Sequence, residues 1–84
     1  MYVDFLYAIS LLCAVKKDIV KRFGERIREL RTSKGWSQEV LADKTGFHRT
    51  YIGMVERGER NLSLKNIEVF AYTLNIELKN LLNF

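Results

Sequence analysis

The sequence predicts an all-α domain of five short helices with an extra apolar arm in front, and three observations support this. Apolar residues recur at spacings of three and four along most of the 84-residue chain, and few stretches alternate as strands do. Proline is absent, and glycine occupies only five positions, so little interrupts helical periodicity. Apolar residues make up 48% of the chain, enough for a packed globule. Its length allows one domain with one modest core.

The formal charge of +4 favours an anionic partner but is moderate for a soluble domain. Cys13 is the only cysteine and His48 the only histidine, which excludes an intrachain disulfide and argues against a zinc site. This usage suits a reducing cytoplasm, with Cys13 read as a small buried apolar residue.

Residues 1–17 are expected to form the arm, and residues 18–84 the domain. Met1 to Val15 is strongly apolar and is followed at once by Lys16 and Lys17. A membrane span needs about 20 apolar residues; this run is shorter and carries Asp4. A secretory signal places its basic residues before the apolar run, whereas here they follow it. Phe5, Ile9 and Leu12 instead mark one helical stripe, widened by Leu6 and Cys13. Such a stripe should bury itself on the core or on a second subunit, and a dimer contact is the expectation. An N-terminal extension without a role is the alternative.

Asp18 to Lys34 reads as the first helix, with Phe23, Ile27 and Leu30 facing the core and Ile19 and Val20 extending that face. Gly24 within it costs about 1 kcal/mol against alanine. From Lys16 to Lys34 eight basic residues face three acidic ones, a pattern read mainly as a solvated face with local pairs such as Glu25 and Arg28. Gly35 closes this helix, and Ser37, followed by Gln38 and Glu39, caps the second. That helix, about Gln38 to Lys44, is expected to bury Val40 and Leu41, with Ala42 allowing close approach. Ser63 caps a fourth helix running to about Leu74, with Leu64, Ile67, Phe70, Ala71 and Leu74 as its apolar stripe. Asn75 ends it, and a last short helix carries Leu78, Leu81 and Leu82 before Phe84. An end this apolar should be covered by the core or by a partner subunit.

The stretch from Phe47 to Asn61 organises the rest. Ile52 and Val55 can face a core with Phe47, while Arg49, Thr50 and Gly53 fall on the opposite side. Slender and donor-rich residues opening a short helix suit entry into a DNA major groove. Gly58 supplies a left-handed helix end, and Arg57, Arg60 and Asn61 sit where a backbone phosphate would lie. Together with the preceding helix and the turn at Thr45 and Gly46, this is the helix-turn-helix pattern.

Gly35-Trp36-Ser37-Gln38-Glu39-Val40-Leu41-Ala42, then Gly46, Arg49-Thr50-Tyr51-Ile52, Val55-Glu56-Arg57-Gly58 and Arg60-Asn61 resemble the phage-repressor-like helix-turn-helix family, the XRE or Cro/C1 type. The resemblance covers roughly residues 19–82. The His48 to Ile52 run with Glu56 to Ser63 is especially similar to the controller proteins of restriction–modification systems. It implies a repressor-like five-helix fold, no cofactor, and a homodimer on a two-fold symmetric operator. One recognition helix per subunit would enter successive major grooves.

Carried over by position, the resemblance makes Gln38 a phosphate contact and a brace for the recognition helix. Arg49 and Thr50 become base readers, suited to guanine O6/N7 and to a thymine methyl respectively. Tyr51 becomes a phosphate contact, with packing as its alternative, and Arg57, Arg60 and Asn61 hold the DNA backbone. Arg31 and Glu56 match a structural ion pair, and His48 begins the helix. Gly53 departs from the small polar residue often found there, and the arm departs from the family altogether.

Two functions follow: a transcriptional regulator, or an antitoxin whose apolar ends cover a toxin partner. An enzyme is not expected, because one histidine, one cysteine in an apolar run and no Gly-rich phosphate loop leave little for catalysis.

Overall fold

The computed structural model describes residues 19–84, which form five helices with no strand among the described residues. The arm, including Cys13, lies outside the described residues, as does any question of what its apolar stripe covers. Helix α1 spans 19–33 and ends where Gly35 takes a left-handed φ of 73°. The amide of Trp36 reaches back to the Arg31 carbonyl at 3.2 Å, which satisfies an acceptor freed by the helix end. Helix α2 (Gln38–Thr45) starts at Ser37, whose side chain accepts from the Val40 amide at 3.1 Å. It stops at Gly46, where φ is 81°. Helix α3 (Arg49–Glu56) is capped by His48, helix α4 (Leu64–Thr73) by Ser63, and α5 (Leu78–Leu81) is a single turn. Asn75 turns the chain between α4 and α5 at φ 54°, a conformation asparagine tolerates better than most residues. No helix among the described residues is long and apolar enough to cross a membrane.

The core takes its side chains from all five helices: Phe23 and Ile27, Leu41 and Ala42, Ile52 and Val55, Phe70, Ala71, and Leu81. Phe70 is fully buried at its centre. Its ring meets Phe23 edge-on at 6.3 Å and Phe47 at 5.4 Å, and Phe47 in turn meets Tyr51 at 5.0 Å. This aromatic chain joins α1, the turn before α3, α3 and α4. Each such pair adds about 0.5–1.5 kcal/mol beyond the area it buries.

Several expectations need correction. Val40 is 37% exposed, because a two-turn helix has one inward face and Leu41 and Ala42 occupy it. Leu64 is 79% exposed: the apolar stripe of α4 continues into a first turn that nothing in the domain covers. Ile19 is likewise exposed at the start of α1. Of the C-terminal residues only Leu81 is fully buried in the core; Leu78, Leu82 and Phe84 remain exposed in the single chain, which leaves the partner subunit as the alternative cover. The basic face of α1 is not simply solvated. Arg26 donates to the Asn80 carbonyl at 3.2 Å, Arg22 lies over the Phe84 ring at 5.2 Å, and Arg31 is buried.

Gly24 is the largest departure from the sequence expectation. A Cβ built there would lie 2.2 Å from the Val55 carbonyl oxygen and 2.9 Å from that of Glu56. The glycine is therefore where α1 and the end of α3 touch backbone to backbone. Helix propensity alone predicts that Gly24→Ala stabilises the protein by about 1 kcal/mol. The contact predicts the opposite, a loss of about 1–3 kcal/mol from overpacking. Urea unfolding of this variant gives the sign directly.

Candidate nucleic-acid interface

Helix α3 owes its exposed first turn to its cap. His48 Nδ1 accepts from the Thr50 amide at 3.0 Å, and the extended backbone of His48 starts the helix one turn before the core residue Ile52. Ile52 and Val55 then lock one side into the core, leaving Arg49 and Thr50 exposed on the other. The Thr45 hydroxyl accepts from the Phe47 amide at 3.2 Å, so the turn between α2 and α3 is tied down as well.

Beside this first turn lies an open groove of about 650 Å³, lined by Arg31, Ser37, Gln38, Glu39, Arg49, Thr50, Gly53 and Arg57. Four of the residues expected to contact DNA, Gln38, Arg49, Thr50 and Arg57, thus meet in one place. The other three do not. Tyr51 is half-buried against Phe47, and its hydroxyl accepts from Asn66 Nδ2 at 3.1 Å. Arg60 lies over the Tyr51 ring at 5.6 Å. Arg60 and Asn61 also border a separate apolar groove of about 210 Å³, shared with Ile19, Phe23 and Leu82. The loop after α3 therefore splits: Arg57 turns toward α2, and Arg60 toward Tyr51 and α4.

A buried network forms the floor of the first groove. Arg31 Nε and Nη2 donate to the two Glu56 oxygens at 2.7 and 3.0 Å, and its Nη1 donates to the Trp36 carbonyl at 2.8 Å. Gln38 Nε2 donates to Glu56 Oε1 at 3.1 Å. The expected Arg31–Glu56 pair is thus present, and Gln38 braces α3 by bonding to its last residue. Trp36 is itself flanked by Lys34 and Lys44, with ammonium groups 5.3 and 4.9 Å from its ring centre.

The two guanidiniums at the groove have different surroundings from Arg31. Arg49 pairs with Glu39, and Arg57 pairs with Glu59 through Nε at 2.8 Å and Nη2 at 3.3 Å. The hydrogen bond to Glu59 raises the Arg57 pKa further, and the same bond holds the Glu59 carboxyl below its ordinary value. All four side chains are half or more exposed, so solvent screens both pairs and neither holds the fold together. A base edge can therefore replace the Glu39 carboxylate at little cost. Glu39 and Glu59 were not expected here. Glu39 comes ten residues before its partner, and nothing local in the sequence indicates that α2 and α3 bring the two together.

Comparison with known proteins agrees with this fold. A family model described as helix-turn-helix matches residues 27–81. The control protein C.BamHI of Bacillus amyloliquefaciens is 49% identical over 63 residues, covering 74% of this chain and 78% of that one. The crystal structure of the restriction–modification controller protein C.AhdI from Aeromonas hydrophila superposes with a TM-score of 0.70 at 58% identity, covering 76% of this chain and 96% of that one. The controller protein C.Esp1396I, solved as a tetramer with its natural 35 base-pair operator, superposes with a TM-score of 0.70 at 33% identity. There the cover is 76% of this chain and 88% of the other.

The network makes a specific prediction. Glu56→Ala leaves the Arg31 guanidinium buried without its carboxylate and is expected to cost about 3–5 kcal/mol. Urea unfolding measures it. A loss under about 1 kcal/mol would show that the pair does not hold α1 and α3 together.

Proposed function

Since the chain belongs to the helix-turn-helix family, we propose that it is a sequence-specific DNA-binding transcriptional regulator, the controller of a restriction–modification system. It acts in the cytoplasm as a homodimer on a two-fold symmetric operator, without catalysing a reaction. One observation carries this reading: the exposed first turn of α3 presents Arg49 and Thr50 beside Gln38 and Arg57 in one open groove. C.BamHI and C.AhdI, named as controllers, are half or more identical to the chain over the matched part or nearly so, which favours this reading over the antitoxin one.

In the complex, the first turn of α3 enters the major groove. Arg49 exchanges Glu39 for guanine O6 and N7, and the Thr50 methyl meets a thymine methyl. Gln38 and Arg57 contact phosphates at the groove's edge, while Tyr51, Arg60 and Asn61 contact the backbone beyond the far side of α3. The second subunit covers apolar surface that the domain leaves open, including Leu64 and Tyr72, the latter 88% exposed. Residues 1–17 add to that contact as a separate arm, and residues 18–84 form the DNA-binding domain.

Two experiments follow. Arg49→Ala should cost about 1–3 kcal/mol on the operator and relax its specificity, whereas Arg57→Ala should weaken all sequences alike and reduce the salt slope by about one. Fluorescence anisotropy on operator and random duplexes separates them; equal losses on both for Arg49→Ala remove it as a base reader. Deleting residues 1–15 should shift mass by light scattering from dimer toward monomer. An unchanged mass would rule out the arm as a dimer contact.

A further inference from the structure

Arg57 reaches the groove along an unusual route. It caps the end of α3, and its guanidinium folds back over the middle of that helix toward α2. A Cβ built on Gly53 would lie 3.1 Å from Arg57 Nη1, 3.7 Å from Gln38 Oε1 and 3.9 Å from Arg57 Cζ. Gly53 is buried because these two side chains close over it. On the far edge of the guanidinium, Nε and Nη2 are both held by the Glu59 carboxylate. The fork thus fixes the plane of the group and leaves Nη1, which lies over Gly53 at the groove's lining, outside the carboxylate's grip.

We propose that Gly53 and Glu59 are positioning residues for Arg57, the glycine by leaving the space its guanidinium crosses and the carboxylate by gripping its outer edge, so that Nη1 is set in advance to donate to a DNA phosphate. The inference rests on the DNA-binding reading and adds residues that this reading does not use. A planar guanidinium has five donors in a fixed geometry, so two can be given to a carboxylate while others remain directed elsewhere. Setting the group in place before binding removes part of the ordering cost of a long side chain. Gly53 then answers to packing above it rather than to base contact. A Cβ there makes the guanidinium give by a few tenths of an ångström, a shift of the side chain's end rather than of the fold.

A phosphate contact is blind to sequence, so a fluorescein-labelled mixed-sequence duplex at low salt is a sufficient probe. Two measurements are paired on the full chain: affinity for that duplex, and the NMR order of the Arg57 Nε–H in the free protein. Glu59→Gln should lower the Nε–H order and weaken binding about two- to fivefold, the size of an exposed ion pair. Gly53→Ala should weaken binding to a similar extent while the protein stays folded. In an Arg57→Gln background neither substitution should weaken binding further.

Tighter binding by Glu59→Gln would make that carboxylate a mask over Arg57 and overturn the proposal. Equal losses with and without Arg57 would overturn it too, as would an Nε–H already disordered in the parent protein. No duplex binding by the parent chain would refute the DNA-binding reading itself, whatever the order of Arg57. Binding that is insensitive to Arg57→Gln would remove Arg57 from the interface and the proposal with it.

Discussion

Taking a guanidinium and a carboxylate out of water is costly, and the pair persists only where hydrogen bonds replace the lost solvation. Arg31 and Glu56 meet that condition. The arginine donates to both carboxylate oxygens and to the Trp36 carbonyl, and Glu56 also accepts from Gln38. The four groups come from α1, the turn after it, the start of α2 and the end of α3. One cluster of polar contacts therefore fixes the direction of α3 against both preceding helices. On the opposite side of α3, Ile52 and Val55 enter the apolar core, and Phe47 packs on Phe70. Held by polar contacts at one end and apolar ones at the other, α3 has little freedom to tilt, and the residues of its first turn are presented at a fixed angle.

The contrast between buried and exposed ion pairs then separates structure from function. A buried pair such as Arg31–Glu56 is costly to break because one charge is left buried alone, whereas solvent screens exposed pairs such as Arg49–Glu39 and Arg57–Glu59. Only the exposed guanidiniums can take a partner on DNA without disturbing the fold. They are also the ones at the open groove. A polar network that holds, beneath exposed guanidiniums open to a further partner, is an arrangement suited to binding a polyanion without unfolding any part of the domain.

Features set by local chemistry were legible in the sequence. Ser37 and Ser63 cap helices because a hydroxyl three residues before an amide can reach it, and Gly35, Gly46 and Gly58 stand where φ is positive. The Arg31–Glu56 pair was reached through resemblance, since no local rule joins residues 25 apart. What was missed depends on distances between helices. Gly24 reads as a weak point of α1 until its contact with the Val55 carbonyl is known. Val40 and Leu64 fit apolar stripes, but a stripe shows which face is apolar and not how far the neighbouring elements extend. Apart from Gln38 the expected DNA-contacting residues lie between Arg49 and Asn61 in the sequence, yet the chain turns Arg57 to the groove beside Gln38 and Arg60 to the Tyr51 ring.

The most direct test is a selection of bound duplexes from a random DNA library by the full-length protein. A two-fold symmetric motif with half-sites about one helical turn apart is the predicted result, because two α3 helices in a dimer would face successive major grooves. Weak recovery with no shared motif, lost at moderate salt, would contradict the account. The groove beside α3 would then be a basic surface without sequence readout.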